Sequence, residues 1–334
     1  MSQVKPSQFR LYVVLIGILL SAFILSLYSG AVALSPWQAL LDHWHQRPGI
    51  AAIVLWEIRL PRVLLALIVG ATLGLSGAAM QGLLRNPLAE PGLLGVSNGA
   101  ALGAVVVLYL GASGLAWYYL PAAAITGAIV ALALVYLLAG LHSSVLTLIL
   151  AGVAINSITG ALIAIALNFA PNLFAVQEIV FWLMGSLANR SYDHVMVAAP
   201  FAVVGWLLIV SRSGFLEALS LGEDSVRSLG YSLVRDRLIL LLGIALCVGV
   251  CVAVSGSVGF VGLIVPHVLR PFVSYRPAPL LIASALGGAA LVVSADLLMR
   301  HLGTTNELKL GVVTALLGGP FFLYLIMRTR SRWV

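Results

Sequence analysis

Charged residues are scarce in this chain. Only 9% of its 334 residues are Asp, Glu, Lys or Arg, whereas 61% are hydrophobic and the mean hydropathy is +1.10. A soluble globular domain carries about a quarter charged residues. The composition therefore excludes a soluble protein and indicates an integral membrane protein. Its apolar runs are long and continuous, which predicts transmembrane helices and not the alternating strands of a β-barrel.

Cysteine and lysine are also rare, and the sequence lacks the common hydrolase motifs. The two cysteines, Cys247 and Cys251, lie in one apolar run, which is typical of small buried side chains and gives no disulfide framework or cysteine metal site. Neither of the two lysines, Lys5 and Lys309, follows a Gly-rich turn, so the chain has no P-loop. Zinc-protease and serine-hydrolase motifs are absent too. We therefore expect a protein that is no enzyme and binds no cofactor itself.

A membrane-spanning helix needs about 20 apolar residues. Ten segments are candidates, and an even number places both termini on the same side of the membrane. A Gly-rich break at 255–259 separates two of them, and the alternative is one long bent helix over 238–273. The ten segments are 11–33, 60–83, 93–110, 117–140, 145–167, 194–211, 238–255, 259–273, 279–298 and 308–327.

The distribution of basic residues tests this topology. With both termini in the cytoplasm, twelve of the eighteen Lys and Arg residues lie on the cytoplasmic side. That asymmetry follows the positive-inside rule and supports both the number of helices and their orientation. The formal charge of +7 therefore reflects topology, and no nucleic-acid partner is expected.

Three segments fit neither a spanning helix nor a short turn. Residues 34–58 lie outside, and 171–190 have an apolar core too short to cross, which predicts a re-entrant or interfacial helix on the outer side. The segment 212–237 is the most charged part of the chain, and we expect it to face the cytoplasm.

The charged segment contains a short predicted helix. Ser220 or Gly222 can cap it, and Glu223 and Asp224 fall in its first turn, where the helix dipole favours anions. Gly230 can end it. Its apolar edge, formed by Leu221, Val226 and Leu229, could lie on lipid or fit a groove in a partner.

Small and polar residues within the spans predict helix contacts. Gly70 and Gly74, and the series Gly95, Gly99 and Gly103, favour close helix packing. Polar groups at membrane depth face a bundle interior or a water-filled pathway, so Asn98 and Asn156 could line a pathway or bond helix to helix. We expect Asp296 and Arg300, four residues apart, to form a salt bridge.

Two further features have open interpretations. His43 and His45 could ligate a metal or haem iron if their segment is extended, or they could be a solvated pair in a loop. The stretch 83–100, LLRNPLAEPGLLGVSNGA, has no lysine or strand context for a phosphate loop. Pro87 and Pro91 predict a rigid elbow at the cytoplasmic face, with Arg85 and Glu90 near the interface.

Five stretches resemble one family of transporters. They include SLGEDSVRSLG (220–230), SGSVGFVGLIVPHVLR (255–270) and ADLLMR (295–300), together with 59–104 and 311–326, and they occur in order over nearly the whole chain. Together they resemble the FecCD/BtuC-like permease subunits of bacterial type II ABC importers for iron-siderophores, haem and cobalamin. The overall look is nearest to haem-uptake permeases, although no single motif specifies haem.

The resemblance implies an all-α polytopic fold of about ten helices, with residues 1–334 as one permease domain in the bacterial inner membrane. It implies import of haem or another iron chelate by a homodimer, with the pathway along the dimer axis. Two cytoplasmic subunits would hydrolyse ATP with magnesium, and a periplasmic binding protein would deliver the cargo. The alternatives within the family are a ferric-siderophore and a cobalamin permease.

The resemblance also implies roles for particular residues. Arg59, Arg62 and Arg300 match arginines that dock the binding protein. The coupling helix that docks on the ATPase matches Ser220, Leu221, Gly222, Glu223, Asp224, Val226, Arg227, Leu229 and Gly230. A self-sufficient secondary transporter or channel is the competing class, and a membrane enzyme is disfavoured because no acid, base or metal ligands cluster.

Overall fold

The computed structural model describes residues 6–30, 35–44, 49–111, 118–301 and 308–330, and within these ranges the regular structure is entirely helical. The helices are α1 Pro6–Tyr28, α2 Pro36–Trp44, α3 Ile50–Ile53, α4 Leu60–Leu83, α5 Val96–Tyr109, α6 Tyr119–Ala139, α7 Val145–Asn168, α8 Leu173–Leu183, α9 Tyr192–Ser211, α10 Ser213–Ser220, α11 Glu223–Ser228, α12 Leu233–Ser255, α13 Val261–Leu269, α14 Pro277–His301 and α15 Leu310–Arg330. A π-helical turn, Val54–Arg59, joins α3 to α4, so that residues 50–83 form one helical unit.

Each of the ten predicted spans contains a helix. Among the described residues, seven helices are long and apolar enough to cross a membrane, namely α1, the α3–α4 unit, α6, α7, α9, α12 and α14. The remaining three predicted spans correspond to α5, α13 and the described apolar part of α15, which are shorter. The chain is therefore a polytopic membrane protein with seven candidate spans and several shorter apolar helices among the described residues.

The break that the sequence predicts before α13 is present. Helix α12 ends at Ser255, residues 256–259 are not helical, and α13 begins at Val261. The alternative of one bent helix over 238–273 is therefore wrong. Two conformations with positive φ, Gly256 at 70° and Phe260 at 65°, turn the chain at the two ends of the break.

The core of the protein lies around α4, which packs against α9, α12, α13 and α14. The predicted role of Gly74 is confirmed, because a β-carbon there would lie 2.0 Å from the Ser284 carbonyl oxygen of α14. A β-carbon on Gly70 would likewise lie 2.3 Å from the Gly288 carbonyl oxygen of α14. Small residues thus let α4 and α14 approach at backbone contact.

The glycine series of α5 packs in two directions. A β-carbon on Gly99 or Gly103 would lie within 3 Å of α6, whereas one on Gly95 would meet Ile155 of α7. The segment 171–190 contains α8, whose 11 residues are too few to cross a membrane, as predicted.

Candidate functional site

The charged segment forms α10, α11 and the start of α12. Gly222, at φ +115°, precedes α11, Glu223 and Asp224 occupy its first turn, and Gly230 follows it at φ +81°. The predicted short helix is therefore confirmed, with Gly222 and not Ser220 at its N-terminus. Ser220 instead closes α10, where its hydroxyl donates to the Glu217 carbonyl oxygen at 2.6 Å.

The predicted single apolar edge of α11 is wrong. Val226 is fully buried, whereas Leu221 and Leu229 are 74% and 61% exposed. Asp224 and Arg227 are exposed as well. One side of α11 therefore anchors on the bundle while the other presents apolar and charged side chains outward.

A buried arginine connects α11 to two other elements. Arg237 of α12 is only 2% exposed, and its Nη2 lies 3.7 Å from Glu223 Oε1. Its Nη1 donates to the Ser143 carbonyl oxygen, in the turn between α6 and α7, at 2.7 Å. The side chain of Arg237 therefore contacts both α11 and the turn between α6 and α7.

A second pair holds α12 to the end of α9. Arg212 Nη1 lies 2.6 Å from Asp236 Oδ1, and Asp236 Oδ2 accepts from the Ser232 N–H at 2.8 Å. These contacts bond Arg212, at the start of the charged segment, to Asp236, near its end. The outer side of α11 remains exposed.

At the opposite end of α4, one carboxylate binds two arginines. Asp296 of α14 is fully buried and accepts from Arg62 Nε at 2.9 Å and from Arg300 Nε at 2.9 Å. Arg62 Nη2 adds an ionic contact of 2.9 Å. The predicted Asp296–Arg300 salt bridge is confirmed, and the pairing with Arg62, 234 residues away in sequence, was not predicted.

The same cluster reaches α1. Arg300 Nη1 donates to the Ser26 carbonyl oxygen at 3.1 Å, and Arg59 Nη1 donates to the Leu27 carbonyl oxygen at 2.7 Å. Arg59, Arg62 and Arg300 therefore share one end of the bundle but lie buried within this chain. Docking of a partner through them stays a prediction, and it requires the partner or the cluster to rearrange.

The elbow between α4 and α5 is hydrogen-bonded to α7 and to the start of α13. Arg85 has φ +49°, and a 3₁₀ turn, Pro91–Leu94, leads into α5. Asn156 Nδ2 of α7 donates to the Gly92 carbonyl oxygen at 2.9 Å. For Asn156, the structure therefore shows a hydrogen bond between elements, one of the two predicted roles.

Glu90, expected near the membrane interface, is bonded to the start of α13. Its Oε1 accepts from the Phe260 N–H at 2.7 Å, at the beginning of α13. Burial raises the pKa of the Glu90 carboxyl, and the Phe260 hydrogen bond, which favours the charged form, opposes that shift. The elbow and the break before α13 are thus held together by this carboxyl group.

The break also borders an open apolar cavity, about 580 Å³ in volume. Its wall includes Ser257, Phe260, Met184 just after α8, and Val312 and Leu316 of α15. Among the described residues that line it, only Ser257 has a polar side chain. Non-helical backbone in a membrane protein is tolerated where it is buried in protein or lines a cavity. The geometry therefore makes this apolar cavity the best candidate for a substrate pathway.

The remaining sequence candidates are less informative. Asn98 of α5 is half-buried and makes no side-chain hydrogen bond within the described ranges, so pathway lining stays a prediction for it. The side chain of His43 and all of His45 lie outside the described residues. Among the residues that are described, no group of three His, Cys, Asp or Glu could hold a metal ion.

Sequence reasoning missed three connections: Arg62 to Asp296, Arg237 to Glu223 and Ser143, and Glu90 to Phe260. One signal was available for the first, since Asp296 is the only acidic residue inside the predicted spans and three arginines, Arg59, Arg62 and Arg300, were expected at the same end. The other two join positions whose proximity depends on how α12 and α13 pack.

The helical bundle, with its seven candidate membrane spans among the described residues, is that of a polytopic membrane protein. The chain belongs to the FecCD transport family, whose model matches residues 18–328. It is therefore the permease of an ABC importer, a transport subunit that leaves ATP hydrolysis to a separate ATPase.

Named relatives and a solved structure agree with this assignment. The chain is 41% identical to the vitamin B12 import system permease protein BtuC of Vibrio cholerae, over 95% of this chain and 93% of that protein. It is 39% identical to the hemin transport system permease protein HmuU of Yersinia pestis, over 86% and 88%. A metal-chelate type ABC transporter, solved in an inward-facing conformation, matches at 32% identity with a TM-score of 0.83, over 96% of this chain and 99% of that one.

Proposed function

We propose that this permease imports haem across the bacterial inner membrane, from the periplasm to the cytoplasm, with both termini in the cytoplasm. The observation that carries the proposal is the cavity of about 580 Å³ beside the break at 256–259, whose wall is apolar apart from Ser257. A flat, mostly apolar macrocycle can lay its ring faces on such a wall, and only the two propionates at one edge need water or polar partners. A cargo rich in amides or charges would lose hydrogen bonds to water there, which is costly.

The proposed assembly is a homodimer with two ATPase subunits and a periplasmic binding protein. Large apolar side chains of α15, including Leu316, Leu323 and Tyr324, are more than half exposed. Leu316 also lines the cavity, so a second copy packed on this face would close the cavity along the dimer axis. That arrangement would place the pathway between the two copies.

The proposed energy input is α11. Its outward side carries Leu221 and Leu229, and Arg237 connects it to α12 and to the turn between α6 and α7. When ATP closes the two ATPase subunits, α11 would move with them and carry the motion to the bundle. The binding protein would dock at the Asp296 end, where Arg59, Arg62 and Arg300 lie.

Cobalamin is the second candidate cargo, since the vitamin B12 permease of Vibrio cholerae is more similar to this chain, at 41% identity over 95% of it, than the hemin permease of Yersinia pestis, at 39% over 86%. A ferric siderophore is a third cargo class within the family. Choosing between them needs a direct comparison of transport.

The test is uptake into proteoliposomes that contain the permease with the ATPase and binding protein encoded beside it. Haem, cyanocobalamin and a ferric hydroxamate siderophore are offered singly and in competition. We expect ATP-driven uptake of haem, inhibited by excess haem and not by excess cyanocobalamin. Uptake of cyanocobalamin alone would assign the second candidate and overturn the proposal.

A cavity variant links the cargo to the site. Leu316→Trp fills the cavity with an apolar side chain and should reduce haem uptake, while Leu317→Trp makes the same change beside it at a residue that does not line the cavity. Equal uptake by the two variants would remove the cavity from the pathway.

A further inference from the structure

A second cavity, about 290 Å³ in volume, lies at the α10 end of the bundle among α1, α9, α10 and α14. Its lining is unlike that of the apolar cavity, because it combines polar side chains with apolar ones. The polar lining residues are Gln8, Tyr12, Ser213, Glu217 and Arg276. Nothing in the transport mechanism above uses this cavity.

Gln8 is the residue that indicates a ligand. It is only 6% exposed, it lines the cavity, and its Nε2 has no hydrogen-bond partner among the described residues. Buried side-chain donors are nearly always satisfied, because an unmade hydrogen bond leaves the desolvation cost of the group uncompensated. The amide is therefore a donor that an acceptor atom of a ligand can satisfy.

A pair of opposite charges completes the polar side of the cavity. Arg276 Nη2 lies 2.8 Å from Glu217 Oε1, and the two side chains are 48% and 35% exposed. Exposed pairs of this kind contribute little to stability, so a ligand can insert between the partners at small cost. The cavity thus offers a cation, an anion and an unsatisfied N–H donor to one ligand.

The apolar lining continues onto the outer surface of the protein. Val210 of α9 and Ile282 of α14 line the cavity and are 43% and 52% exposed. On α1, Phe9 and Val13 follow the two cavity residues Gln8 and Tyr12 and are more than half exposed. These helices are candidate membrane spans by length and composition, so the apolar surface around the mouth of the cavity is suited to contact hydrocarbon chains.

We propose that this cavity binds the head group of a zwitterionic phospholipid, phosphatidylethanolamine. The lipid phosphate accepts hydrogen bonds from Arg276 and Gln8, and the ammonium group pairs with Glu217. The acyl chains lie along Val210 and Ile282. Because Glu217 belongs to α10, which directly precedes α11, a bound lipid ties α10 to the N-terminal end of α14.

The test measures lipid retention by native mass spectrometry on the purified full-length protein, delipidated and then titrated with phosphatidylethanolamine or phosphatidylglycerol. We expect the wild type to bind phosphatidylethanolamine more tightly, since both lipids carry the phosphate but only one carries the ammonium. Gln8→Leu should weaken that binding about tenfold or more, as expected for losing a hydrogen bond to a charged group. Glu217→Gln should remove the preference between the two lipids.

Controls separate the possible sources of the signal. Gln177→Leu makes the same change on exposed α8 and should leave lipid binding unchanged. Soluble glycerophosphoethanolamine, which has the head group without acyl chains, should not compete; competition at equal concentration would assign a free metabolite and overturn the lipid. Equal binding of both lipids by all variants would place the retained lipid outside this cavity and overturn the proposal. If Gln8→Leu fails to fold, Glu217→Gln and Arg276→Gln, which change exposed side chains, decide the question.

Discussion

Replacing Asp296 with Asn should destabilise this permease more than almost any other single isosteric change. The substitution keeps the shape of the side chain but removes the carboxylate that Arg62 and Arg300 share. It also turns an acceptor into an NH₂ donor that faces guanidinium donors. Both arginine side chains are about nine-tenths buried, so water cannot replace the lost charge.

The size of the effect follows from this burial. Removing one partner of a buried ion pair costs about 3–5 kcal/mol. That loss corresponds to a decrease of roughly a hundredfold to a few thousandfold in the folding equilibrium constant. The exposed pair of Glu217 and Arg276, with a similar separation of 2.8 Å, should contribute only about 0–1 kcal/mol when Glu217 is changed to Gln.

The assay is reversible unfolding in mixed micelles, with the midpoint in denaturing detergent compared for wild type, Asp296→Asn and Asp193→Asn. The last variant makes the same carboxyl-to-amide change at an exposed position and should stay within about 0.5 kcal/mol of the wild type. If Asp296→Asn were equally mild, the buried cluster would not hold α1, α4 and α14 together.

Three further changes test other parts of the structure. Replacing Gly222 and Glu223 with Ala should uncouple ATP hydrolysis from uptake, because Gly222 has φ +115° and Glu223 contacts buried Arg237; uptake per ATP hydrolysed is the measurement. Glu90→Gln should flatten the pH dependence of the unfolding midpoint: a raised pKa in the folded state gives stability that is present at low pH and lost as pH rises through that pKa. Gly74→Ala should destabilise by about 1–3 kcal/mol or more, since the new carbon would lie 2.0 Å from the α14 backbone.

Each of these predictions has a control variant or an outcome that would contradict it. Gly111→Ala alters another glycine with positive φ in open space and should leave coupling intact, whereas full uptake by the Gly222 and Glu223 variant would remove the coupling role of α11. Parallel pH profiles for wild type and Glu90→Gln would show that this carboxyl does not titrate differently on folding. Gly17→Ala, at a helical glycine with nothing within 4 Å, should be neutral or stabilising.

Composition and periodicity predicted the elements well because long apolar runs leave the backbone little choice in a membrane. The glycines in residues 255–259 predicted the break before α13. Gly222 and Gly230 predicted the two ends of α11, because glycine readily adopts the positive φ angles found there. Local chemistry sufficed for each of these features.

The candidate sites were less predictable because they depend on which helices meet. Arg62 and Asp296 are separated by 234 residues, and Glu90 and Phe260 by 170. The burial of Arg59 is equally a result of packing, since it follows from contact with the end of α1. Sequence alone placed these charges at an end of the bundle but could not say that they face one another.

ATP-driven haem uptake by the reconstituted complex tests the account most directly. Proteoliposomes containing the permease, its ATPase and haem-loaded binding protein should accumulate haem with ATP, and should fail to do so with a non-hydrolysable analogue or without the ATPase. Accumulation by the permease alone, with neither ATP nor ATPase present, would contradict a pathway that α11 drives from outside the membrane.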